Sequence, residues 1–215
     1  MKHKPAFGIF ALILLLLLSS CIGINADITL NQNGSGTIHL EYQISKALDS
    51  LGRLDGNERW NTIPVGRADF ERTIDRLPEI KLVSYSSKED EKNLNISVKL
   101  EFSSMKGLLA FFDAGGRRSV FSGDSHSGRL ALTLSEGGEH KNPGLAKLIS
   151  NISETYSVKM SMTFPGTGSL SVSDSRGNPV KTGNDFTANG KTVSCSFPLN
   201  DILSSEAGIV LAFSF

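Results

Sequence analysis

Apolar residues recur along this chain at two periods, and the switches between them mark its elements. Ile28 and Leu30, then Ile38, Leu40, Tyr42 and Ile44, alternate with polar residues on either side of Asn33-Gly34-Ser35-Gly36. That is the pattern of a β-hairpin, and Asn-Gly tolerates the positive φ angles its turn needs. Ile44, Leu48 and Leu51 then fall at i, i+4, i+7, which predicts a short helix with Ser45 as N-cap. Gly52 to Pro64 reads as a polar loop carrying the one tryptophan, Trp60. Phe70, Ile74 and Leu77 return to helical phase, and Pro78 stops that helix.

Residues 80–86 predict a strand, KEDEK (88–92) a charged turn, and Leu94, Ile96, Val98, Leu100 and Phe102 a second strand. Met105, Leu108, Leu109 and Phe112 mark an amphipathic helix ended by Gly115-Gly116. Ser119–Phe121 and Leu130–Leu134 make a hairpin around GDSHSG, and Pro143 opens a helix with Leu145, Leu148, Ile149 and Ile152 on its apolar face. Tyr156, Val158, Met160, Met162 and Phe164 form a long strand closed by Pro165-Gly166. Short strands at 168–173 and 191–197 are separated by turn-rich SDSRGNP and KTGND. Leu199, Ile202 and Leu203 predict a last short helix, and Ile209, Leu211, Phe213 and Phe215 a closing strand. Alternation in every strand implies antiparallel pairing with one face buried. The predicted class is α+β: antiparallel sheets built from hairpins, with amphipathic helices covering one face. No linker or low-complexity segment interrupts residues 27–215, which read as one domain.

The front end follows neither period. Lys2 and Lys4 make it basic, and from Ala6 to Leu18 only Gly8 relaxes the apolar character. Thirteen helical residues rise roughly 20 Å, short of a hydrocarbon core of ~30 Å, so the run fits a secretory leader rather than a spanning helix. A buried core helix is the alternative, but it needs no basic start and rarely shows five consecutive leucines. Leu18-Ser19-Ser20-Cys21 then resembles the bacterial lipobox. A thiol is needed there to accept a diacylglyceryl group, and small side chains before it let a signal peptidase reach the backbone. The resemblance implies removal of residues 1–20 by cleavage between Ser20 and Cys21, and S-diacylglycerol and N-acyl attachment at Cys21. Two or three acyl chains anchor stably where one does not. Residues 21–26 would then be a lipidated tether, its five residues after the cysteine spanning at most roughly 17 Å.

Composition narrows the function classes. Loss of Lys2 and Lys4 would leave twenty basic against twenty-two acidic residues, a balance unsuited to nucleic acid or to purely electrostatic membrane docking. Cys21 and Cys195 are the two cysteines, so a lipidated Cys21 leaves no disulfide framework. Cys195 lies in phase with Val193 and Phe197, the place of a small buried hydrophobe.

Candidate chemistry is sparse. His39, His126 and His140 show no helical metal spacing and no Cys/His cluster, so no metal and no cofactor are expected. Ser125 beside His126 invites a hydrolase reading, but a nucleophile needs a base oriented by a third group, which a Gly/Ser hairpin loop does not provide. Arg117, Arg118 and Arg129 stand close enough in sequence to offer an anionic headgroup guanidinium contacts, against the plainer reading of solvated hairpin ends. Phe111-Phe112 put aromatics on adjacent helix faces, either to line an acyl groove or to pack on the sheet.

DITLNQNGSGTIHLEYQIS, opening directly after the lipid cysteine, resembles the start of the LppM-type envelope lipoprotein domain. SVKMSMTFPGTGSL and ANGKTVSCSFPLNDIL resemble that family's closing strands, and SSMKGLLAFF sits where the family places a helix after a strand. Cys195 stands where a tryptophan is expected. The resemblance implies an α+β domain at the cell envelope that binds lipids or glycolipids, with no catalytic residues to carry over. The expectation is thus a membrane-anchored envelope lipoprotein outside the cytoplasm, not an enzyme, with a lipid or glycolipid ligand. An interaction lipoprotein docking envelope proteins is the alternative, and a serine hydrolase the third. Cys21→Ala is expected to abolish acyl labelling and membrane partitioning, measured by metabolic labelling and fractionation of bacterial cells.

Overall fold

The computed structural model describes residues 23–46, 65–113, 118–124, 126–138, 156–180 and 185–215. The leader with Ser20 and Cys21, the helix predicted from Ile44 (beyond residue 46), the Trp60 loop, Gly115-Gly116, Arg117, Ser125, His140 and the helix opened by Pro143 lie outside them. In chain order the described elements are β1 (Ile24–Leu30), β2 (Gly36–Ser45), α1 (Arg67–Ile74), β3 (Ile80–Glu89), β4 (Asn93–Phe102), α2 (Met105–Phe112), β5 (Ser119–Gly123) and β6 (Gly128–Ser135). Then come β7 (Ser157–Thr163), β8 (Ser169–Ser173), β9 (Asp185–Asn189), β10 (Thr192–Pro198), α3 (Leu199–Ser204) and β11 (Ile209–Ser214). The class is α+β, in a seven-stranded sheet of order β3-β4-β2-β1-β7-β10-β9 and a four-stranded sheet of order β5-β6-β11-β8.

Register turns the alternation into two faces. Leu82, Leu100, Ile38, Ile28, Met162 and Val193 pair strand to strand, forming one apolar row across the larger sheet. Tyr85, Val98, Leu40, Ala26, Met160 and Cys195 form the next. A Glu101, Thr37, Thr29, Thr163, Thr192 row and a Lys99, His39, Asp27, Ser161, Ser194 row lie on the other face. Fully burying each large apolar side chain contributes about 1.5–3 kcal/mol, so a one-residue slip that turned these rows to water would be strongly unfavourable.

One pairing departs from the antiparallel rule. β1 lies parallel to β7, Ile24 beside Val158 through Thr29 beside Thr163. Alternation reports which face is buried and carries no information about a neighbour's direction, so the pattern could not reveal it. The strand Asp185–Asn189 was also hidden by KTGND, although it forms a hairpin with β10 around Gly190, whose φ is +60°. β3 continues to Glu89, which confines the charged turn to fewer residues than KEDEK. Val83 is the extra residue of a bulge in this edge strand, because Leu82 pairs with Leu100 and Ser84 with Lys99; it stands 44% exposed.

Helices are not the apolar face's sole cover. Phe70 of α1 lies between Tyr42 and Tyr85, at ring distances of 6.5 and 5.8 Å, and the Tyr85 hydroxyl donates to the Val65 carbonyl at 2.8 Å. Leu108 of α2 is fully buried, its helix started by Ser104, whose hydroxyl accepts from the Gly107 amide at 3.2 Å. The smaller sheet joins the same core through phenylalanines: Phe164, just past β7, stacks on Phe215 at 4.6 Å and meets Phe213 at 6.3 Å, while Phe121 of β5 stacks on Phe215 at 6.3 Å.

Aspartates close three exposed turns. Asp90 accepts from Asn95 Nδ2 and from the Lys92 and Asn93 amides, Asp124 from the His126 and Ser127 amides, and Asp174 from Asn178 Nδ2 and the Asn178 and Arg176 amides. Those bonds favour the charged form, led by the Asn95 amide at Asp90, the His126 N–H at Asp124 and the Asn178 amide at Asp174, and hold all three carboxyls below the ordinary aspartate range. A group depressed in the fold stabilises it above its unfolded pKa, about 3.9, and that contribution is lost as pH falls through the folded value. Urea midpoints followed from pH 7 downward are therefore expected to fall in acid, and less steeply when Asp90, Asp124 and Asp174 are all changed to Asn.

Gly36 pairs with both Leu30 and Phe102, and a Cβ there would run into the Thr29 carbonyl and the Phe102 ring. Gly36→Ala is expected to cost roughly 1–3 kcal/mol through overpacking, read as a lower urea midpoint. Gly166→Ala, where an added Cβ meets nothing within 4 Å, is expected to stay within about 0.5 kcal/mol of the parent.

Candidate functional site

The first described residue is already part of the body. Gly23 is buried, its carbonyl accepts the Gln43 amide at 3.1 Å, and a Cβ on it would stand 2.9 Å from the Tyr156 Cβ. Strand β1 begins one residue later, at Ile24. This corrects the expected tether over 21–26: residues 24–26 are sheet, because the row of paired strands claims them. One residue, Ile22, separates Cys21 from Gly23 in the sequence, and two residues of chain span at most about 7 Å.

At the same end of the sheet, its polar face opens into a cleft of about 310 Å³ lined by Glu41, Gln43, Ser86, Lys88, Asn95 and Ser97. These come from adjacent strands β2, β4 and β3, at positions facing away from the core. Gln43 Nε2 donates to Asn95 Oδ1 at 2.6 Å, Asn95 Nδ2 donates to Asp90 Oδ2 at 3.0 Å, and His39 Nε2 lies 3.1 Å from Ser97 Oγ. The cleft thus combines carboxylate, amide, hydroxyl and ammonium groups on a flat floor. Such groups hydrogen-bond and orient a polar ligand. A second cleft on the same face, about 370 Å³, is lined by Asn25, Asp27, Lys159, Ser161 and Thr187 among others. Neither cleft was visible in the sequence, since its residues are polar alternates of three strands in the first and four in the second, joined only by pairing.

The other sequence candidates fall elsewhere. Arg118 pairs with Glu136 at 3.2 Å, and its carbonyl accepts from Thr133. Arg129 pairs in register with Ser122 and Ser214, four residues along β6 from Thr133, which is about 13 Å. The two guanidinium-bearing positions are thus at opposite ends of one hairpin. In the Ser125–His126 loop, Asp124 is engaged with backbone amides. Phe111 and Phe112 meet edge-on at 5.8 Å and both pack, partly buried, against the core. Among the described residues no three His, Cys, Asp or Glu side chains gather as a metal site, and no helix is long and apolar enough to cross a membrane.

Two buried ionisable groups stay neutral. Burial, slightly opposed by a contact to the Met160 carbonyl at 3.7 Å, pushes the Cys195 thiol up to about 12. That is the behaviour of a packed hydrophobe and not of a nucleophile. Burial first, then the neighbouring Tyr85 and Asp69, raises the Tyr42 phenol well above its ordinary range.

No protein-family model matches this chain, and no curated protein does. Among solved structures, the NMR structure of the folded domain of Mycobacterium tuberculosis LppM is similar, at 15% identity and a TM-score of 0.36 over 86% of this chain and 94% of that one.

Proposed function

We propose that this chain is a bacterial envelope lipoprotein, anchored through acylated Cys21, whose domain is a non-catalytic module for the polar headgroup of a lipid or glycolipid. The observation that carries the reading is Leu18-Ser19-Ser20-Cys21 at the end of a leader-like apolar run, followed almost at once by the buried Gly23. An acyl chain on Cys21 holds the domain's Gly23 end against the bilayer. The cleft at that end offers Glu41, Gln43, Lys88 and Ser97 to hydroxyls and phosphates within reach of the surface. A second reading, docking of an envelope protein, is favoured by apolar side chains on edge strands: Val120 on β5 is 61% exposed and Phe186 on β9 42%. Edge strands offer unpaired backbone groups to an added strand.

The test is native mass spectrometry of the acylated full chain, with titration of a hexosyl-diacylglycerol and of phosphatidylglycerol. Uptake of one lipid, weakened about tenfold or more in a Glu41→Ala, Gln43→Ala double variant, is expected, since two lost hydrogen bonds are worth about 1–3 kcal/mol. Protein that stays empty through the titration, and crosslinks in cells to one stoichiometric protein, would transfer the assignment to the docking reading.

A further inference from the structure

The length of chain before Gly23 and the position of its last residue determine which part of the domain meets the bilayer. Gly23 pairs with Gln43, Gln43 with Asn95, and Asn95 with Lys88, so these four residues share one row across β1, β2, β4 and β3. From that row Cys21 can reach outward by two residues, about 7 Å. The β3–β4 hairpin continues outward through Glu89 and Asp90, about 7 Å, to the turn at Glu91 and Lys92. Sideways, β4 stands two strand spacings from β1 and β3 three, about 10 and 14 Å. β2 runs out with it: the Lys46 amide donates to the Lys92 carbonyl at 2.9 Å, and Lys46 Nζ lies 3.1 Å from Glu89. On the other flank nothing comparable projects among the described residues, because β10 ends at Pro198 opposite Ser157 and turns into α3, whose Ile202 is buried.

We propose that the β3–β4 hairpin tip, with Lys92, rests among the phospholipid headgroups and sets the orientation of the anchored domain. This rests on the reading of Cys21 as the lipid attachment point, and not on the identity of any ligand in the cleft. A tip that reaches at least as far as the fully extended tether cannot be held away from the surface unless the domain tips over toward β9. The tip's chemistry suits the phosphate zone. Glu89 is paired with Lys46, and the Asp90 carboxylate closes the turn through the Lys92 and Asn93 amides and Asn95. Lys92 is exposed, on that turn. An ammonium group at this level is attracted by phosphate charge.

The experiment uses the full chain processed in bacterial membranes and reconstituted in vesicles of phosphatidylethanolamine and phosphatidylglycerol. A fluorophore is placed through Glu91→Cys at the tip or through Gln32→Cys in the exposed β1–β2 turn at the opposite end, and quenched by headgroup-spin-labelled lipid. Cys195 is buried and a processed Cys21 has no free thiol, so the label reports the introduced site. Quenching is expected to be several-fold greater at position 91 than at 32, and to drop at 91 when Lys92 is changed to Glu. Equal quenching at the two positions, with the acyl group demonstrated on Cys21, overturns the orientation and leaves the lipoprotein reading standing. Absence of the acyl group overturns both.

Discussion

Strand β1 constrains the rest of the structure. It has a neighbour on each side, antiparallel β2 and parallel β7, so both edges of its backbone are hydrogen-bonded and every row of the larger sheet is registered on it. Gly23 has no side chain because Tyr156 and the Ser157 carbonyl occupy that space. Gly36, at the other end of the same hairpin, is pressed between Thr29 and Phe102. Both glycines mark close approach of one backbone to another, not flexibility.

The two faces of this sheet separate stability from recognition. One face is a continuous apolar layer closed by α1, α2 and the smaller sheet, with Phe164, Phe213 and Phe215 joining the two sheets. The other carries cross-strand pairs of hydroxyls and amides, such as Thr163 with Thr192 at 3.0 Å and Ser161 with Ser194 at 3.2 Å. Substitutions there cost little packing, since no side chain on that face supports the core. That is the physical condition under which a surface can vary its chemistry while the fold stays intact.

A short tether changes the meaning of such a face. A domain on a long flexible linker meets the bilayer in every orientation, whereas one held within about 7 Å samples few. With Cys21 acylated as proposed, the cleft between β2, β4 and β3 and the hairpin tip beyond it would lie near the surface, where weak polar contacts act at high effective concentration.

Alternation in the sequence determined which residues of each strand are buried, because the side-chain period of a strand is independent of its partners. Leu94 to Phe102 and Tyr156 to Phe164 are where the pattern places them, as are the Asn33-Gly34 turn, α2 and the inert Cys195. The resemblance of Leu18-Ser19-Ser20-Cys21 to a lipobox is likewise local, since that chemistry would need only adjacent residues. Strand order and the parallel β1–β7 pair depend on contacts between segments far apart in the chain, 134 residues for Ile24 and Val158, for which no periodicity exists, and β9 is placed by its hairpin with β10. The cleft is of the same kind: Gln43 and Asn95 become partners at 2.6 Å only when β2 lies beside β4. Tertiary structure alone separated Arg118 from Arg129, and it alone placed a strand where the sequence suggested a tether. Local sequence determined faces and turns; pairing decided neighbours, and with them every candidate site except Cys21.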